Sequence, residues 1–273
     1  MFSQLDKPLI MGILNVTPDS FSDGGKYTGI DDALQQVERM LTEGVDIIDI
    51  GGESTRPGSD SVAATDQLQR VTPVITAIRE QLKSDILISI DTTSSAVAKA
   101  ALAAGADIIN DVSAGQDDEA MLALAAQQDV PIILMHRQGT TKTMQDNPYY
   151  DDVVREVIDA LKKRIDTALK AGIKKENIAI DPGIGFGKRK QDNLDLLAHL
   201  DALVALGFPI LLGTSRKRFM GTLCDVTEPS ELVTATAVTT ALGVMAGVQI
   251  FRVHDIKENR QAADVAWAIR QSR

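Results

Sequence analysis

The chain has 273 residues, 44% of them hydrophobic, so it is long enough to bury the core of one α/β domain. Its net charge of −10 argues against a general nucleic-acid-binding surface, and its apolar runs fall short of the ~18 residues that a membrane span needs. The single cysteine excludes an intrachain disulfide and is typical of a reducing compartment. We therefore expect a cytoplasmic protein with no nucleic-acid or membrane partner.

Eight short apolar runs alternate along the chain with segments of helical pattern. Strands that are buried on both faces read as continuous apolar stretches, and helices between them indicate βα units. The runs are Leu9–Leu14, Val45–Ile50, Ile86–Ile90, Ile108–Ile109, Pro131–Met135, Ile178–Ile180, Pro209–Leu212 and Val248–Val253. We predict that residues 1–273 form a single domain, an α/β (β/α)8 TIM barrel with long mobile loops after the first two strands.

The segments between these runs place apolar residues three or four positions apart, as amphipathic helices do. A glycine follows five of them, at a position where glycine commonly ends a helix. These glycines are Gly44, Gly105, Gly172, Gly207 and Gly247. The segment Glu231–Met245 is apolar on almost every side, so we expect part of it to lie in a homodimer interface.

Nearly every apolar run ends on or beside a polar residue that is capable of chemistry. These residues are Asn15, Asp49, Asp91, Asn110, His136, Asp181, Ser215, Lys217, Arg252 and His254. A parallel barrel gathers the carboxyl ends of its strands around one mouth. The pattern predicts an active site there, although any one strand-end aspartate can instead cap the helix that follows it.

The loops after four of the strands have unusual sequences. They read Asn15-Val-Thr-Pro-Asp-Ser-Phe-Ser-Asp-Gly-Gly25, Gly51-Gly-Glu-Ser-Thr-Arg-Pro-Gly58, Asp181-Pro-Gly-Ile-Gly-Phe-Gly-Lys188 and Gly213-Thr-Ser-Arg-Lys-Arg218. Glycines let a backbone approach a ligand closely, and Phe21 at a polar tip suits the covering of a ligand. Taken singly, each loop has a plainer interpretation as a solvated connector or, for the fourth, a basic helix start.

Together with Arg252-Val-His254, these segments resemble the signature segments of the dihydropteroate synthase family, in the family's order and from Ile10 to His254. The resemblance implies a TIM barrel that condenses 6-hydroxymethyl-7,8-dihydropterin pyrophosphate with p-aminobenzoate. Dihydropteroate and pyrophosphate are the products. It also implies Mg²⁺ as cofactor, a homodimer, and inhibition by sulfonamides, which mimic p-aminobenzoate.

The resemblance also assigns site residues. The pterin falls to Asp91, Asn110, Met135, Asp181 and Lys217. The pyrophosphate falls to Asn15, Thr55, Arg252 and His254, with Asn15 also the metal ligand. The p-aminobenzoate slot falls to Phe21, Arg56, Pro57, Phe186, Ser215 and Lys217. The residues implied to be catalytic are Asp23, Asp91, Asp181 and Lys217.

These residue types suit the chemistry. A carboxylate accepts a pterin's ring N–H and exocyclic NH₂ in two parallel bonds. Cations stabilise a departing pyrophosphate, and Mg²⁺ is usually held by substrate phosphates with one or two protein ligands. His136 faces the mouth by position but receives no role.

Three other functions stay open from the sequence. A methyltetrahydrofolate–corrinoid methyltransferase has a similar pterin-binding barrel, but it has no need of a pyrophosphate clamp. An aldolase-type barrel would use Lys217 as a Schiff-base amine, which leaves the two acids of the pterin edge unexplained. A pterin-binding protein without catalysis would not need Asn15, Arg252 and His254 together.

Overall fold

Parallel strands with helices between them make up the part of the chain that the computed structural model describes, residues 7–16, 25–53, 62–82, 84–140 and 142–273. The eight strands form one sheet. They are β1 (Leu9–Asn15), β2 (Ile47–Gly51), β3 (Leu87–Asp91), β4 (Ile108–Asp111), β5 (Ile132–Met135), β6 (Ile178–Asp181), β7 (Leu211–Leu212) and β8 (Ile250–Val253). Each lies in or overlaps one of the eight apolar runs.

The sheet closes into a barrel. Its strand order is β6-β5-β4-β3-β2-β1-β8-β7, so β1 lies between β2 and β8. A bridge between Ile180 and Ile210 joins the two outer strands, and Ile180 N donates to the Pro209 carbonyl at 2.9 Å. The predicted (β/α)8 barrel is confirmed. The loops predicted to be long and mobile fall largely on residues outside the described ranges.

Helices connect the strands in the described part of the chain. They are α1 (Gly25–Thr42), α2 (Ala64–Glu80), α3 (Ser95–Ala103), α4 (Ala120–Gln128), α5 (Val153–Lys170), α6 (Lys190–Ala198), α7 (Leu200–Val204), α8 (Arg218–Cys224), α9 (Val233–Ala246) and α10 (Ile256–Gln271). Short 3₁₀ turns lie at Lys175–Asn177 and Pro229–Glu231. Among these described elements there is no helix with the length and apolar character of a membrane span.

The glycines predicted to end helices all have positive φ, between 73° and 112°. One of the segments with helical spacing, which has Leu194, Leu197, Leu200 and Leu203 three residues apart, forms two helices and not one. The residues from Leu194 to Leu203 lie on two helices, because His199 leaves the helical conformation at φ −119° and ψ 35°. Its backbone N–H and its ring Nδ1 both bond the Asp195 carbonyl at the end of α6, at 3.1 and 2.8 Å.

Two apolar layers hold the barrel. The larger lies between the outside of the sheet and the helices. The smaller fills the inside of the barrel with residues from all eight strands: Leu9, Met11, Ile47, Leu87, Ile108, Ile133, Ala179, Leu211 and Ile250. Because apolar side chains fill the barrel at this level, polar side chains farther along the strands are held at its carboxyl end.

Candidate active site

The structure brings the strand-end residues together at one edge of the barrel. Asn15 lies opposite Gly51, which in turn lies opposite Asp91. Asp91 is paired in register with Asn110, and Met135 with Asp181. The predicted edge therefore consists of one row across β1 to β4 and a second across β5 and β6, and the two are offset because Asn110 is opposite Ile133. Asp181, Asn110, Asp91 and Met135 are all buried.

Arg252 is the centre of a buried ionic cluster. Its Nε donates to Asp49 Oδ2 at 2.6 Å, and its Nη2 donates to Asp91 Oδ2 at 2.7 Å. Asn110 Nδ2 also donates to Asp49, at 3.3 Å. The Arg252 side chain is 19% exposed, whereas those of Asp49 and Asp91 are 0% and 3% exposed. The guanidinium predicted to bind pyrophosphate is thus already paired with two carboxylates.

One oxygen of the Asp91 carboxyl group is left unpaired by the described residues. Its Oδ1 is buried and has no hydrogen-bond partner. Asp91 does not cap α3, since the N–H groups of Ser94 and Ser95 donate to Thr92 Oγ1 and Asp118 Oδ2. Burial raises the pKa of Asp91, and the Arg252 guanidinium opposes that shift. A buried acceptor without a donor is costly, so a ligand N–H at this position is favoured.

Asp181 lies at the opposite side of the mouth. Its Oδ1 accepts the Gly183 N–H at 2.6 Å. Burial raises the pKa of Asp181, while this backbone bond and the nearby charges of Lys217 and Lys188 oppose the rise. The carboxylate is therefore held in place by the loop that follows β6, residues 182–188, which we call the glycine-rich loop.

Lys217 lies against the glycine-rich loop, where it is under the influence of the Asp181 charge. Its Nζ donates to the Ile184 carbonyl and lies 4.4 Å from the centroid of the Phe186 ring, within the range of a cation–π contact. Burial lowers the pKa of Lys217 to about 8, against the opposing effect of Asp181. Gly185 has φ 82°, and a Cβ there would lie 2.9 Å from Lys217 Cδ. Glycine at that position therefore makes room for the lysine stem.

Ser215 and His254 form a second polar pair at the mouth. Ser215 Oγ and His254 Nδ1 are 2.9 Å apart, and the His254 N–H donates to Ser215 Oγ at 3.1 Å. These bonds tie the loop after β7 to the end of β8. Ser215 is buried and His254 is partly exposed.

Five predicted site residues lie outside the residues that the structure describes. They are Phe21, Asp23, Thr55, Arg56 and Pro57. Their roles stay predictions. Asn15 is described, and its Oδ1 would lie 3.7 Å from a Cβ built on Gly51, so the amide lies at the junction of β1 and β2.

The sequence matches the pterin binding enzyme family over residues 11–254. The chain belongs to this family. A dihydropteroate synthase of Streptococcus pyogenes serotype M6 is 53% identical over 257 residues, which span 94% of this chain and 93% of that relative.

Solved structures agree with the family membership. Yersinia pestis dihydropteroate synthase with a sulfonamide drug complex has a TM-score of 0.91 and 42% identity, covering 99% of this chain and 96% of that one. The Xanthomonas albilineans enzyme in complex with 7,8-dihydropteroate has a TM-score of 0.86 and 41% identity, covering 97% and 95%. The resemblance predicted from the motifs is confirmed.

Sequence reasoning gave no role to two groups that organise this pterin-binding barrel. Asp49 was noted only as a polar residue in β2, yet it holds both Arg252 and Asn110. Glu53 accepts from Gln67 Nε2 at 2.9 Å and from the Val62 N–H at 3.2 Å, so it fastens both ends of the loop after β2. The signal for Asp49 was its place inside an otherwise apolar strand, where an unpaired acid is unfavourable.

Proposed function

We propose that this chain is a dihydropteroate synthase, which joins 6-hydroxymethyl-7,8-dihydropterin pyrophosphate to p-aminobenzoate and releases pyrophosphate. The observation that carries the proposal is a barrel mouth in which a buried carboxylate oxygen, Asp91 Oδ1, lacks a donor. A pterin supplies such donors. The similarity to dihydropteroate synthases over nearly the whole chain supports the same substrates.

Pterin recognition is assigned to the polar residues near the carboxyl ends of β3, β4 and β6. Asp181 accepts the ring N–H and exocyclic NH₂ through its carboxylate, and Asp91 and Asn110 complete the polar edge. Bonds to ionised acceptors are short and roughly twice as strong as neutral ones. Met135, buried at the end of β5, packs against the ring as a polarisable apolar surface.

Pyrophosphate departure is assigned to Arg252, His254 and Asn15, with Thr55 as a further phosphate contact. The CH₂–O bond breaks with its electron pair going to the leaving oxygen, whose growing charge fixed cations stabilise. The pairing of Arg252 with Asp49 and Asp91 holds the guanidinium in one orientation before the substrate binds. This preorganisation is what an electrostatic site requires.

The described residues offer few ligands for Mg²⁺, so the ion would be held mainly by the phosphates of the substrate. Asn15 offers an amide oxygen, a ligand type that Mg²⁺ accepts. Within the described ranges no cluster of three or more acids, histidines or cysteines could hold a metal. When bound, the ion would neutralise pyrophosphate charge, and Asn15, with Asp23 from the first loop, would orient it.

The second substrate is assigned to a slot beside the glycine-rich loop. Phe186 forms one wall, with Phe21 and Pro57 as further walls and Arg56 ordering the second loop. Lys217 lies against the Phe186 ring, and Ser215 with nearby N–H groups receives the carboxylate. The arylamine nitrogen attacks the pterin CH₂ cation, forms the C–N bond and gives up its proton. Positioning and electrostatics together carry the catalysis.

Lys217 predicts a limit at alkaline pH. If its ammonium form holds the bound substrates, kcat/KM should fall as the pH rises through the pKa of about 8, because the group then loses its proton. In Lys217→Arg the charge persists to far higher pH, so the fall near pH 8 should disappear even if the maximum rate is lower. A pH profile of both proteins checks this, and an unchanged alkaline limb in the arginine variant would contradict it.

A homodimer is proposed through the face formed by α9 and α10. An apolar groove between these helices is lined mainly by Val233, Ala237, Leu242, Met245, Val265 and Ile269. Leu242 and Val265 are each 61% exposed in the single chain. A second copy that packs this face against itself would bury both helices.

Leu242→Glu is expected to convert the dimer to a monomer, because the interface would then bury an unpaired charge at a cost of about 2–5 kcal/mol. Light scattering after gel filtration, over a range of protein concentrations, measures the mass. Leu223→Glu on α8, at a residue that is 52% exposed and outside this groove, is the matched control. A dimer that persists in Leu242→Glu would place the interface elsewhere.

Pyrophosphate release tests the proposed activity. The purified protein is given the dihydropterin pyrophosphate with and without p-aminobenzoate, first with Mg²⁺ and then with a chelator. We expect release that needs Mg²⁺, with dihydropteroate as product when p-aminobenzoate is present. Tight pterin binding without turnover would instead support a methyltransferase or a binding protein.

A cytoplasmic location is proposed from the single cysteine, which is free and exposed.

A further inference from the structure

Lys188, the last residue of the glycine-rich segment, is a buried cation that has no role in the reaction described above. It is only 3% exposed. Its Nζ lies 2.9 Å from His136 Nδ1, 3.1 Å from the Phe186 carbonyl and 3.5 Å from the His136 carbonyl. A lysine is rarely buried to this extent, so its contacts indicate a specific task.

The three N–H donors of the ammonium group find acceptors on two different loops. His136 follows β5 and Phe186 follows β6. Burial lowers the pKa of His136 to about 3, so the ring is neutral and its Nδ1 can accept. Burial also lowers the pKa of Lys188 to about 7, where Asp181 and Asp192 oppose the shift and Lys217 adds to it. Even as a neutral amine, Lys188 keeps two N–H donors.

The two loops that Lys188 joins are in direct backbone contact. A Cβ built on Gly183 would lie 1.8 Å from the His136 carbonyl oxygen, and one on Gly187 would lie 2.3 Å from the Gln138 carbonyl oxygen. Any larger residue would separate the loops. Lys188 therefore bonds both loops beside a close-packed junction.

Phe186 connects Lys188 to the proposed p-aminobenzoate slot. Its carbonyl accepts from Lys188, and its ring lies against Lys217 Nζ. The residues on either side are also held: the Gly185 N–H donates to Asn193 Oδ1 at 2.6 Å, and the Gly187 carbonyl accepts from Tyr150 Oη at 2.8 Å. Of these bonds, only the one to the Phe186 carbonyl comes from Lys188. Removal of Lys188 would therefore leave that carbonyl without its described side-chain donor.

We propose that Lys188 is a positioning residue for the p-aminobenzoate slot, which holds the Phe186 wall beside Lys217 by bonding the Phe186 carbonyl and the His136 ring. The proposal rests on the proposed function for the identity of the second substrate. Lys188 acts through Phe186 and does not touch the reacting atoms. Its loss should therefore affect p-aminobenzoate more strongly than the pterin, on whose ligand Asp181 the Lys188 charge has only an opposing, secondary effect.

Lys188→Met fills a similar volume without a donor. We expect KM for p-aminobenzoate to rise about tenfold, as for the loss of a hydrogen bond from a charged donor, while KM for the dihydropterin pyrophosphate changes by less than about twofold. Lys190→Met, at the exposed lysine two residues along, is the matched control and should leave both constants unchanged. A purely structural role would lower the melting temperature without separating the two KM values.

His136→Gln provides a second test if Lys188→Met does not fold. It perturbs the imidazole partner and leaves the Phe186 carbonyl bond, so the same KM should rise by a smaller factor, about threefold. The double variant should be no worse than Lys188→Met alone. The proposal is overturned if a folded variant leaves KM for p-aminobenzoate unchanged or raises both constants equally. Absence of turnover in the unaltered protein would instead overturn the proposed function.

Discussion

Asp181→Asn is expected to lower the affinity for the dihydropterin pyrophosphate by about 100-fold or more, the effect of removing one partner from a buried charge-assisted contact. The carboxylate offers two acceptor oxygens, and one of them already accepts the Gly183 N–H at 2.6 Å. An asparagine offers one oxygen and one NH₂ group. Whichever way the amide turns, the NH₂ faces a donor, either the loop N–H or the pterin edge.

Calorimetric titration with the pterin substrate and, separately, with inorganic pyrophosphate measures this effect. We expect the loss to fall on the pterin, with pyrophosphate affinity changed by less than about threefold. Asp201→Asn, at an exposed acid on α7, is the control for removing a negative charge. Thermal unfolding of each variant separates lost binding from lost folding. Retained pterin affinity in Asp181→Asn would contradict the assignment of this carboxylate.

The barrel could be predicted from the sequence because its signals are local. Each strand is a short apolar run, and each of the five glycines predicted to end a helix has the positive φ that this role requires. The break at His199 could not be predicted, because the stripe from Leu194 to Leu203 has helical spacing throughout. The break accompanies a non-helical His199 backbone and a side-chain bond from the His199 ring to the Asp195 carbonyl.

In the candidate site, the positions of the residues could be predicted from the sequence, but their partners could not. Asp91, Asn110, Asp181 and Lys217 could be placed at one mouth because each lies at or after the carboxyl end of an apolar run in a parallel barrel. The partners of those residues could not, since pairing depends on distances across the barrel. Asp49 and Arg252 are 203 residues apart in the sequence, and their side chains are 2.6 Å apart in the fold. A composition or a motif contains no information on that distance.

The variant Arg252→Ala tests the pairing of Arg252 with Asp49 and Asp91. If Arg252 were only a pyrophosphate ligand, its removal would affect binding alone. In this structure it also neutralises Asp49 and Asp91, which are almost fully buried. Removal leaves two buried carboxylates without their cation, so we expect a loss of about 3–5 kcal/mol in the free energy of unfolding, together with weaker pterin binding through Asp91.

The loss in the free energy of unfolding should depend on pH, and the pKa of Asp91 determines whether it grows or shrinks as the pH rises. Its folded-state pKa is already raised by burial and is held down by Arg252, so the variant raises it further. Between the unfolded pKa of about 3.9 and the folded one, the native state binds more protons, and its stability falls as the pH rises. Both proteins lose stability in this way up to the pKa of about 7 that Asp91 has beside Arg252, and only the variant goes on losing it above that pH. Urea unfolding of Arg252→Ala should therefore show a deficit that is larger at pH 8 than at pH 6. Arg39→Ala, which removes an exposed pair to Glu43 at 3.8 Å, should cost less than about 1 kcal/mol at either pH. A small or pH-independent deficit in Arg252→Ala would show that the cluster does not carry the stability assigned to it.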